Sequence, residues 1–314
     1  MEYDAWLQVT LTEICNLTCR YCLAKEELSR PSAVATTFDA PAFLNSLRQC
    51  GYVFHVVFTG GGEPFALSSI VDLCAEIAAE HYIGLNTNLT YGKRIAEFVR
   101  RVPSNRVSRI HASLHFHELR RLGILEDWLC RYAAIRNEGY RIDAIPVAHP
   151  SISEGEVQTL EAALQEAGGN LSWAPFIGEW NHRIFPKSYT QEEMTRFRFK
   201  GTYSHSDVYA PQGWLCPAGV RVAHVDAKGD VWVCHSIPEK LGTIKDGFTL
   251  RDTPVKCSLK CACPYFAYEP ELLLRAIRSN MHQVSRDSLL YHKGEVVHDR
   301  DVLSTTSGAT KGVN

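Results

Sequence analysis

The first 180 residues alternate between short segments typical of β-strands and longer segments typical of amphipathic helices. The strand-like segments are rich in β-branched and aromatic residues. They span residues 6–12, 53–58, 82–87, 107–114, 140–148 and 171–177. Six strands joined by helices predict a parallel sheet with right-handed crossovers. We therefore expect an α/β fold, an open and partial (β/α)6 barrel of the TIM type, whose site lies at the carboxyl ends of its strands.

After residue 186 the pattern changes, and a β-hairpin replaces the strand–helix alternation. Segments 220–225 and 230–234 flank DAKG, in which Gly229 is available for a positive φ. We predict four regions: a barrel at 1–186, a linker with a short helix at 187–213, a smaller hairpin-containing domain at 214–299 and a frayed polar tail at 300–314.

Charge and cysteine content narrow the functional class. The chain of 314 residues has a net charge of −2 and a pI of about 6.7, which favours neither a nucleic-acid nor a membrane-surface protein. No apolar run approaches the roughly 20 residues of a membrane helix, and the acidic N-terminus lacks a signal-peptide core. We therefore expect a cytoplasmic protein with reduced thiols. Its 11 cysteines then predict metal binding or catalysis rather than disulfides.

Three of these cysteines stand close together in CNLTCRYC, residues 15–22. Cys15, Cys19 and Cys22 follow the first predicted strand and so face the mouth of the barrel. A structural zinc site or an electron-transfer 4Fe–4S cluster takes four protein ligands. Three thiolates would leave one position open, where a substrate or cofactor can bind. Taken alone, the spacing also fits half of a zinc site.

The CxxxCxxC spacing resembles that of the radical S-adenosylmethionine (radical SAM) superfamily, and a second motif strengthens the resemblance. That family has an aromatic residue before the third cysteine, here Tyr21, and a GGEP-like motif after the second strand, here TGGGEP at 59–64. The resemblance covers residues 6–180. It implies that Cys15, Cys19 and Cys22 hold a 4Fe–4S cluster whose fourth iron chelates S-adenosylmethionine (SAM).

The resemblance also implies which residues contact SAM and what chemistry follows. Glycines allow a ligand to approach the backbone where a Cβ would obstruct it. One electron from an external reductant, such as flavodoxin or ferredoxin, would cleave SAM to a 5′-deoxyadenosyl radical, which takes a hydrogen atom from a substrate C–H bond. The expected cofactor-binding residues are Tyr21, Gly61, Gly62, Glu63, Asn88 and Ser113.

A second group of cysteines surrounds the predicted hairpin. Cys216, Gly229 and Cys234 match the C-x(9–15)-G-x(4)-C pattern of the twitch and SPASM extensions of radical SAM enzymes, which hold auxiliary 4Fe–4S clusters. The resemblance implies one auxiliary cluster, for which a zinc knuckle is the alternative. The expected ligands are Cys216, Cys234, Cys261 and Cys263, although the choice among the last three cysteines of the group stays open.

The fifth cysteine of the group, Cys257, is then left over. A spare thiol is the hydrogen-atom donor in some radical SAM epimerases, and we expect that role for Cys257; an unligated structural cysteine is the alternative. Related dehydrogenases instead pass an electron to the auxiliary cluster and form a ketone.

The substrate is expected to be small. Because the first strand begins near residue 6, we expect no leader-binding domain before it, which favours a sugar or aminocyclitol, or a peptide held without such a domain. His115 and Glu179, at the ends of the fourth and sixth predicted strands, are the candidate catalytic residues. Epimerisation of a sugar-like natural product is the leading hypothesis. The alternatives are a dehydrogenase, a peptide-modifying enzyme and a zinc-stabilised binding protein.

Overall fold

The computed structural model describes residues 1–22, 38–169, 171–199 and 215–257, together with the backbone of 291–292 and 295–296. The chain divides into two compact units. The first comprises Met1–Phe199 with Pro217–Pro254, and the second comprises Lys200–Cys216 with Val255–Asn314.

The first unit is built on a parallel sheet flanked by helices. Strands β1 to β6 pair in parallel and in sequence order. They are β1 (Ala5–Val9), β2 (Phe54–Phe58), β3 (Tyr82–Thr87), β4 (Val107–Leu114), β5 (Ile142–Ala148) and β6 (Ala174–Pro175). The expected α/β fold with an open, partial TIM-type barrel is confirmed.

The connections between these strands are helical. The α-helices are α1 (Ala40–Cys50), α2 (Ile70–Glu80), α3 (Gly92–Arg101), α4 (Phe116–Arg121), α5 (Leu125–Asn137), α6 (Glu154–Glu166) and α7 (Gln191–Arg196). Short 3₁₀ turns lie at Pro64–Ala66 and Ser104–Arg106. Among the described residues, no helix is long and apolar enough to cross a membrane.

The sixth strand is shorter than its pattern predicts. Only Ala174–Pro175 of the segment 171–177 forms a strand beside β5. Pro175 has no N–H group with which to continue the ladder. The chain then turns at Gly178, whose φ is 144°, into a separate hairpin of β7 (Gly178–Trp180) and β8 (Arg183–Phe185).

Alternation along each strand separates the core from the barrel interior. Ala5, Leu7 and Val9 of β1 are buried in one apolar core, which also contains Phe43 and Leu47 of α1. Successive side chains of a strand point to opposite faces of the sheet. The residues between the core positions therefore face the interior of the open barrel.

The hairpin predicted around Gly229 is present, and it extends the barrel sheet. β10 (Val222–Val225) pairs in parallel with β1, and β11 (Asp230–Trp232) pairs antiparallel with β10. β12 (Lys240–Thr243) and β13 (Gly247–Phe248) continue the sheet. The turn needs a positive φ, and that of Gly229 is 85°. The predicted region 214–299 is thus divided between the two units.

The second unit contains a short ladder of its own. β9 (Leu215–Cys216) pairs antiparallel with β14 (Val255–Lys256), with Cys216 opposite Val255. β15 (Tyr291–His292) and β16 (Glu295–Val296) form another pair. Cys261, Cys263, residues 200–213 of the predicted linker and the tail 300–314 lie outside the described residues.

Two loops at the carboxyl ends of β1 and β2 carry the predicted motifs. We call residues 10–22 the cysteine loop and residues 59–63 the glycine loop. Because β1 and β2 are parallel neighbours, both loops leave the sheet at the same edge.

Candidate functional site

Backbone hydrogen bonds join the cysteine loop to the glycine loop. The N–H of Gly62 donates to the carbonyl oxygen of Thr12 at 2.7 Å, and the N–H of Glu63 donates to that of Ile14 at 2.8 Å. The Ile14 N–H in turn donates to the Thr12 hydroxyl at 3.0 Å. The segment that leads into Cys15 is therefore seated on the motif after β2.

The glycines are required for this close approach. A Cβ on Gly61 would lie 2.7 Å from the Thr12 carbonyl oxygen, and a Cβ on Gly62 would overlap the backbone of Ile14. A side chain at either position would first meet the chain's own backbone, so these glycines seat the cysteine loop. Their contact with SAM stays a prediction.

The carboxylate of Glu63 ties the glycine loop to the end of β3. Its side chain is buried and accepts hydrogen bonds from the Thr87 hydroxyl and the Asn88 N–H, both at 2.6 Å, and from the Phe65 N–H at 3.1 Å. Burial raises the pKa of Glu63 to about 7, although these three hydrogen bonds oppose the shift. Glu63 thus fixes the position of Asn88.

Asn88 lies over the first cysteine. Its amide nitrogen is 3.8 Å from the Cys15 sulfur and donates to the Asn16 side-chain oxygen at 3.1 Å. Its own side-chain oxygen accepts from the N–H and the hydroxyl of Thr90 at 3.0 and 2.6 Å. Asn16 and Thr90 were not among the residues predicted for the site, since neither belongs to a recognisable motif.

The three thiols lie in a partly desolvated environment. Cys19 is buried, and Cys15 and Cys22 are half-buried. Burial raises the pKa of the Cys19 thiol to about 12, and the charges of Glu118 and of the other two cysteines act in the same direction. Burial also raises the pKa of Cys15. The thiols of Cys15 and Cys19 therefore hold their protons at neutral pH, and a bound metal would displace these protons.

An aromatic group, formed by Tyr21, His115, His149, Phe176 and Trp180, lies beside the cysteine loop. The Tyr21 hydroxyl is 3.3 Å from Nδ1 of His115, and its ring centroid is 5.8 Å from that of His149. The His149 ring packs on Trp180 at 4.6 Å and on Phe176 at 4.8 Å. Burial lowers the pKa of His115 to about 4, so its imidazole is neutral at pH 7. This group can shield the mouth without adding charge.

A serine bridge links two histidines of the mouth. The Ser151 hydroxyl lies 2.6 Å from Nδ1 of His149 and 3.1 Å from Nε2 of His117. Because the Ser151 N–H also donates to Nδ1 of His149, that nitrogen is an acceptor and the proton of His149 is on Nε2. His149 directly follows the strand predicted at 140–148, so its position at a strand end was a usable signal.

Two predicted residues lie apart from this arrangement. Glu179 is on β7, outside the barrel sheet, with 68% of its side chain exposed and Nδ1 of His182 at 4.0 Å. Ser113 lies on β4 opposite Ile145, half-buried, on the interior face. Their proposed roles stay predictions.

The C-terminal cysteines are described for each unit separately. In the first unit, Cys234 is buried and accepts hydrogen bonds from the N–H groups of Ser236 and Ile237 at 3.4 and 3.2 Å. In the second unit, Cys257 is buried and stands two residues beyond Val255, the residue opposite Cys216.

The model of the radical SAM superfamily matches residues 9–160. This chain contains a radical SAM domain. Among curated proteins, it is 27% identical over 165 residues to the GTP 3′,8-cyclase of Bradyrhizobium diazoefficiens, covering 50% of this chain and 48% of that protein. It is 26% identical over 214 residues to that of Rhodopseudomonas palustris, covering 65% and 62%. The chain thus spans about half the length of the first of these relatives.

Solved radical SAM structures share the fold at low sequence identity. Native anSMEcpe with bound AdoMet has a TM-score of 0.53 at 15% identity, covering 83% of this chain and 86% of that one. Streptococcus suis SuiB has a TM-score of 0.52 at 14% identity, covering 77% and 64%. The fold implies a 4Fe–4S cluster and SAM as cofactors of the radical SAM domain.

The donor atoms at the mouth fit such a cluster. Within the described residues, no three His, Cys, Asp or Glu side chains converge on a single metal ion. A 4Fe–4S cluster binds each thiolate to a different iron, so its ligands need not meet at one point. The Cys15 sulfur accepts hydrogen bonds from the Leu17 N–H and the Asn88 amide, contacts that stabilise a thiolate. The three thiols, with N–H donors directed at the Cys15 sulfur, are therefore a suitable site for a 4Fe–4S cluster.

Proposed function

We propose that this chain is a radical SAM enzyme that removes a hydrogen atom from a C–H bond of a small, hydroxyl-bearing molecule. The observation that carries the proposal is the seating of the cysteine loop on the glycine loop, with Glu63 and Asn88 fixed beside it. The same edge of the sheet opens onto an interior face that carries Arg109, His111 and Asp143, which suits a polar substrate.

The chain's own residues would hold and shield the cofactors. Cys15, Cys19 and Cys22 would hold the cluster, and the glycine loop with Asn88 would contact SAM. When bound and reduced by an external one-electron donor such as flavodoxin or ferredoxin, these cofactors supply a 5′-deoxyadenosyl radical. The aromatic group beside Tyr21 would exclude water, which protects reactive species from side reactions.

Epimerisation is the outcome that we propose first, on a sugar or aminocyclitol. Cys257 would return a hydrogen atom from its S–H bond to the opposite face of the substrate carbon. The resulting thiyl radical would take one electron from the external reductant and one proton from solvent. The burial of Cys257 supports this role, because a shielded thiyl radical is protected from solvent.

Oxidation of a secondary alcohol is the second candidate, and the contacts of the C-terminal cysteines favour it. Cys257 stands two residues beyond Val255, the partner of Cys216 in its ladder, and in the first unit two backbone N–H groups donate to Cys234. These environments suit thiolate ligands of an auxiliary 4Fe–4S cluster, the electron acceptor that such an oxidation requires. If Cys257 is a ligand, it is not free to donate hydrogen. A peptide substrate is the remaining alternative.

Metal content tests the radical SAM proposal directly. Iron, sulfide and 5′-deoxyadenosine would be measured after anaerobic reconstitution with SAM and dithionite. We expect about eight irons per chain in the wild type and about four in a Cys15/Cys19/Cys22→Ala triple variant, which should form no 5′-deoxyadenosine. Equal iron contents, or SAM cleavage by the triple variant, would overturn the proposal.

A Cys257→Ser variant separates the two candidate outcomes. If Cys257 donates hydrogen, the variant keeps its iron and loses deuterium transfer from heavy water to carbon. If Cys257 is a ligand of the auxiliary cluster, the iron content of the Cys257→Ser variant falls. Turnover would be tested on 2-deoxystreptamine, methyl α-glucoside and myo-inositol. A product in which deuterium replaces one carbon-bound hydrogen indicates epimerisation. A product that has lost two hydrogens indicates oxidation.

A further inference from the structure

The interior face of β3, β4 and β5 carries a group of polar residues, beside the apolar Ile145 and Val147 of β5. The residues of these strands that pack in the core are apolar, namely Ile83, Leu85, Ile110, Ala112, Ile142 and Ala144. The intervening residues face the barrel interior and include Asn86, Arg109, His111, Ser113 and Asp143. A closed TIM barrel fills its interior mainly with branched aliphatic side chains. The polar side chains here are partly exposed, so core packing does not explain them.

Three of these residues lie side by side across the sheet. His111 on β4 is opposite Asn86 on β3 and opposite Asp143 on β5. Neighbouring strands are about 4.8 Å apart, so the three positions form a continuous line. Arg109 joins them, because its Nε lies 3.0 Å from Oδ2 of Asp143. We call Asn86, Arg109, His111 and Asp143 the inner polar row.

The inner polar row is accessible and orients its own groups. The side chains of Arg109 and Asp143 are 35% and 39% exposed. Asn86 donates from its amide nitrogen to the Thr59 hydroxyl at 2.6 Å, which directs its carbonyl oxygen away from Thr59. The row therefore presents guanidinium donors, carboxylate acceptors and an amide to the interior.

The row has no net charge. Arg109 and Asp143 neutralise one another, and burial, together with the charges of Arg109 and Arg141, lowers the pKa of His111 to about 3. An ammonium ligand would meet the charge of Arg109, and a phosphate would meet that of Asp143. A neutral molecule with several hydroxyl groups can donate to Asp143 and accept from Arg109 at once.

The row lies on the strands inside the barrel, and Asn86 connects it to Thr59 at the start of the glycine loop. His111 lies on β4 and His115 directly follows the end of that strand, four residues later, which corresponds to about 13 Å at 3.3 Å per residue. His115 contacts Tyr21 of the cysteine loop. A ligand held by the row would therefore present its far end to the mouth, where the radical forms.

We propose that the inner polar row binds the hydroxyl groups of a neutral polyhydroxylated substrate, a sugar or cyclitol, and holds its reacting carbon toward the cysteine loop. This inference rests on the proposed function, because it names the substrate class of the same barrel. It assigns recognition to Asn86, Arg109, His111 and Asp143, away from the carbon that loses hydrogen.

Binding without turnover tests the inference. Isothermal titration calorimetry on the full chain with SAM would use three probes: myo-inositol (neutral), 2-deoxystreptamine (cationic) and glucose 6-phosphate (anionic). We expect myo-inositol to bind best and Asp143→Asn to weaken its binding at least about tenfold, the usual effect of losing a hydrogen bond to a charged group. His111→Gln should also weaken it. The control is Glu161→Gln, which removes the same charge from the exposed Arg198–Glu161 pair, 3.0 Å apart on the outer surface.

The outcomes distinguish this inference from the proposed function. If the wild type, Asp143→Asn and His111→Gln bind myo-inositol equally well, the Arg109–Asp143 pair has a structural role only. That result would overturn the inference. Preference for either charged probe, or no binding of any probe, would overturn the substrate class. Iron content and 5′-deoxyadenosine formation without substrate are read separately. They should be unchanged in the surface control Glu161→Gln, and their absence in the wild type would instead defeat the proposed function.

Discussion

Replacing Gly62 by alanine would place a Cβ atom against the backbone of Ile14, only 2.6 Å from its nitrogen. The atoms that the Cβ would meet all belong to the backbone of Ile14, so no side-chain rotation relieves the overlap. Gly62 does not have a positive φ, so the clash alone opposes the substitution. The cysteine loop must therefore move away from the glycine loop.

The displacement breaks the two backbone hydrogen bonds that join the loops, of 2.7 and 2.8 Å. Each is worth about 0.5–1.5 kcal/mol, so the native loop position should lose about 1–3 kcal/mol relative to a displaced one. That corresponds to a change of roughly 5- to 150-fold in the population of the native loop. Cys15 follows Ile14 directly, so the first cluster ligand moves with the loop.

Iron content and thermal unfolding would both be measured for Gly62→Ala after anaerobic reconstitution. We expect the loss of about four irons per chain and a lower unfolding temperature. Gly155→Ala is the matched control. Gly155 lies in helix α6, and a Cβ there would meet nothing within 4 Å. Alanine at that position should stabilise the protein by about 0.5–1 kcal/mol and leave the iron content unchanged.

Full iron loading together with an unchanged melting temperature in Gly62→Ala would refute this reasoning. It would mean that the cysteine loop does not depend on contact with the glycine loop. The glycines would then be needed only for a bound ligand, which an affinity measurement with SAM would detect.

Three further substitutions probe other contacts of the site. The pKa of Glu63 is about 7 in the fold and near 4.3 in an unfolded chain, so ionisation of this group lowers the free energy of unfolding by about 2.5 kcal/mol between pH 5 and pH 8. Glu63→Gln should abolish that part of the pH dependence, measured by urea titration at each pH. Parallel pH profiles of unfolding free energy for the wild type and Glu63→Gln would contradict this prediction. Asn88→Ala removes an N–H donor near the Cys15 sulfur, so the cluster's midpoint potential should become more negative in an EPR redox titration, whereas an unchanged potential would exclude this contact. Cys234→Ala should lower the iron content from about eight to about four per chain, and unchanged iron would exclude Cys234 as a ligand.

The sequence predicted more of the fold than of the site. Strand and helix periodicity is a local property, so the order of β1 to β5 could be inferred before any tertiary contact was known. The short β6 was missed because Pro175 interrupts the ladder within an otherwise β-like segment. The pairing of β10 with β1 was also missed, because the two segments lie more than 200 residues apart and nothing local links them.

The cysteine spacing and the TGGGEP motif could be recognised from the sequence alone, because each is a short contiguous stretch. Together they led to the radical SAM assignment. Only the tertiary structure brought Asn88 to Cys15 and His149 to Tyr21, and placed Asn86, His111 and Asp143 in one row. These contacts depend on strand register and on loop packing, which follow from the free energy of burying the whole core. A local pattern can specify which residues a strand carries, whereas the register decides which of them meet.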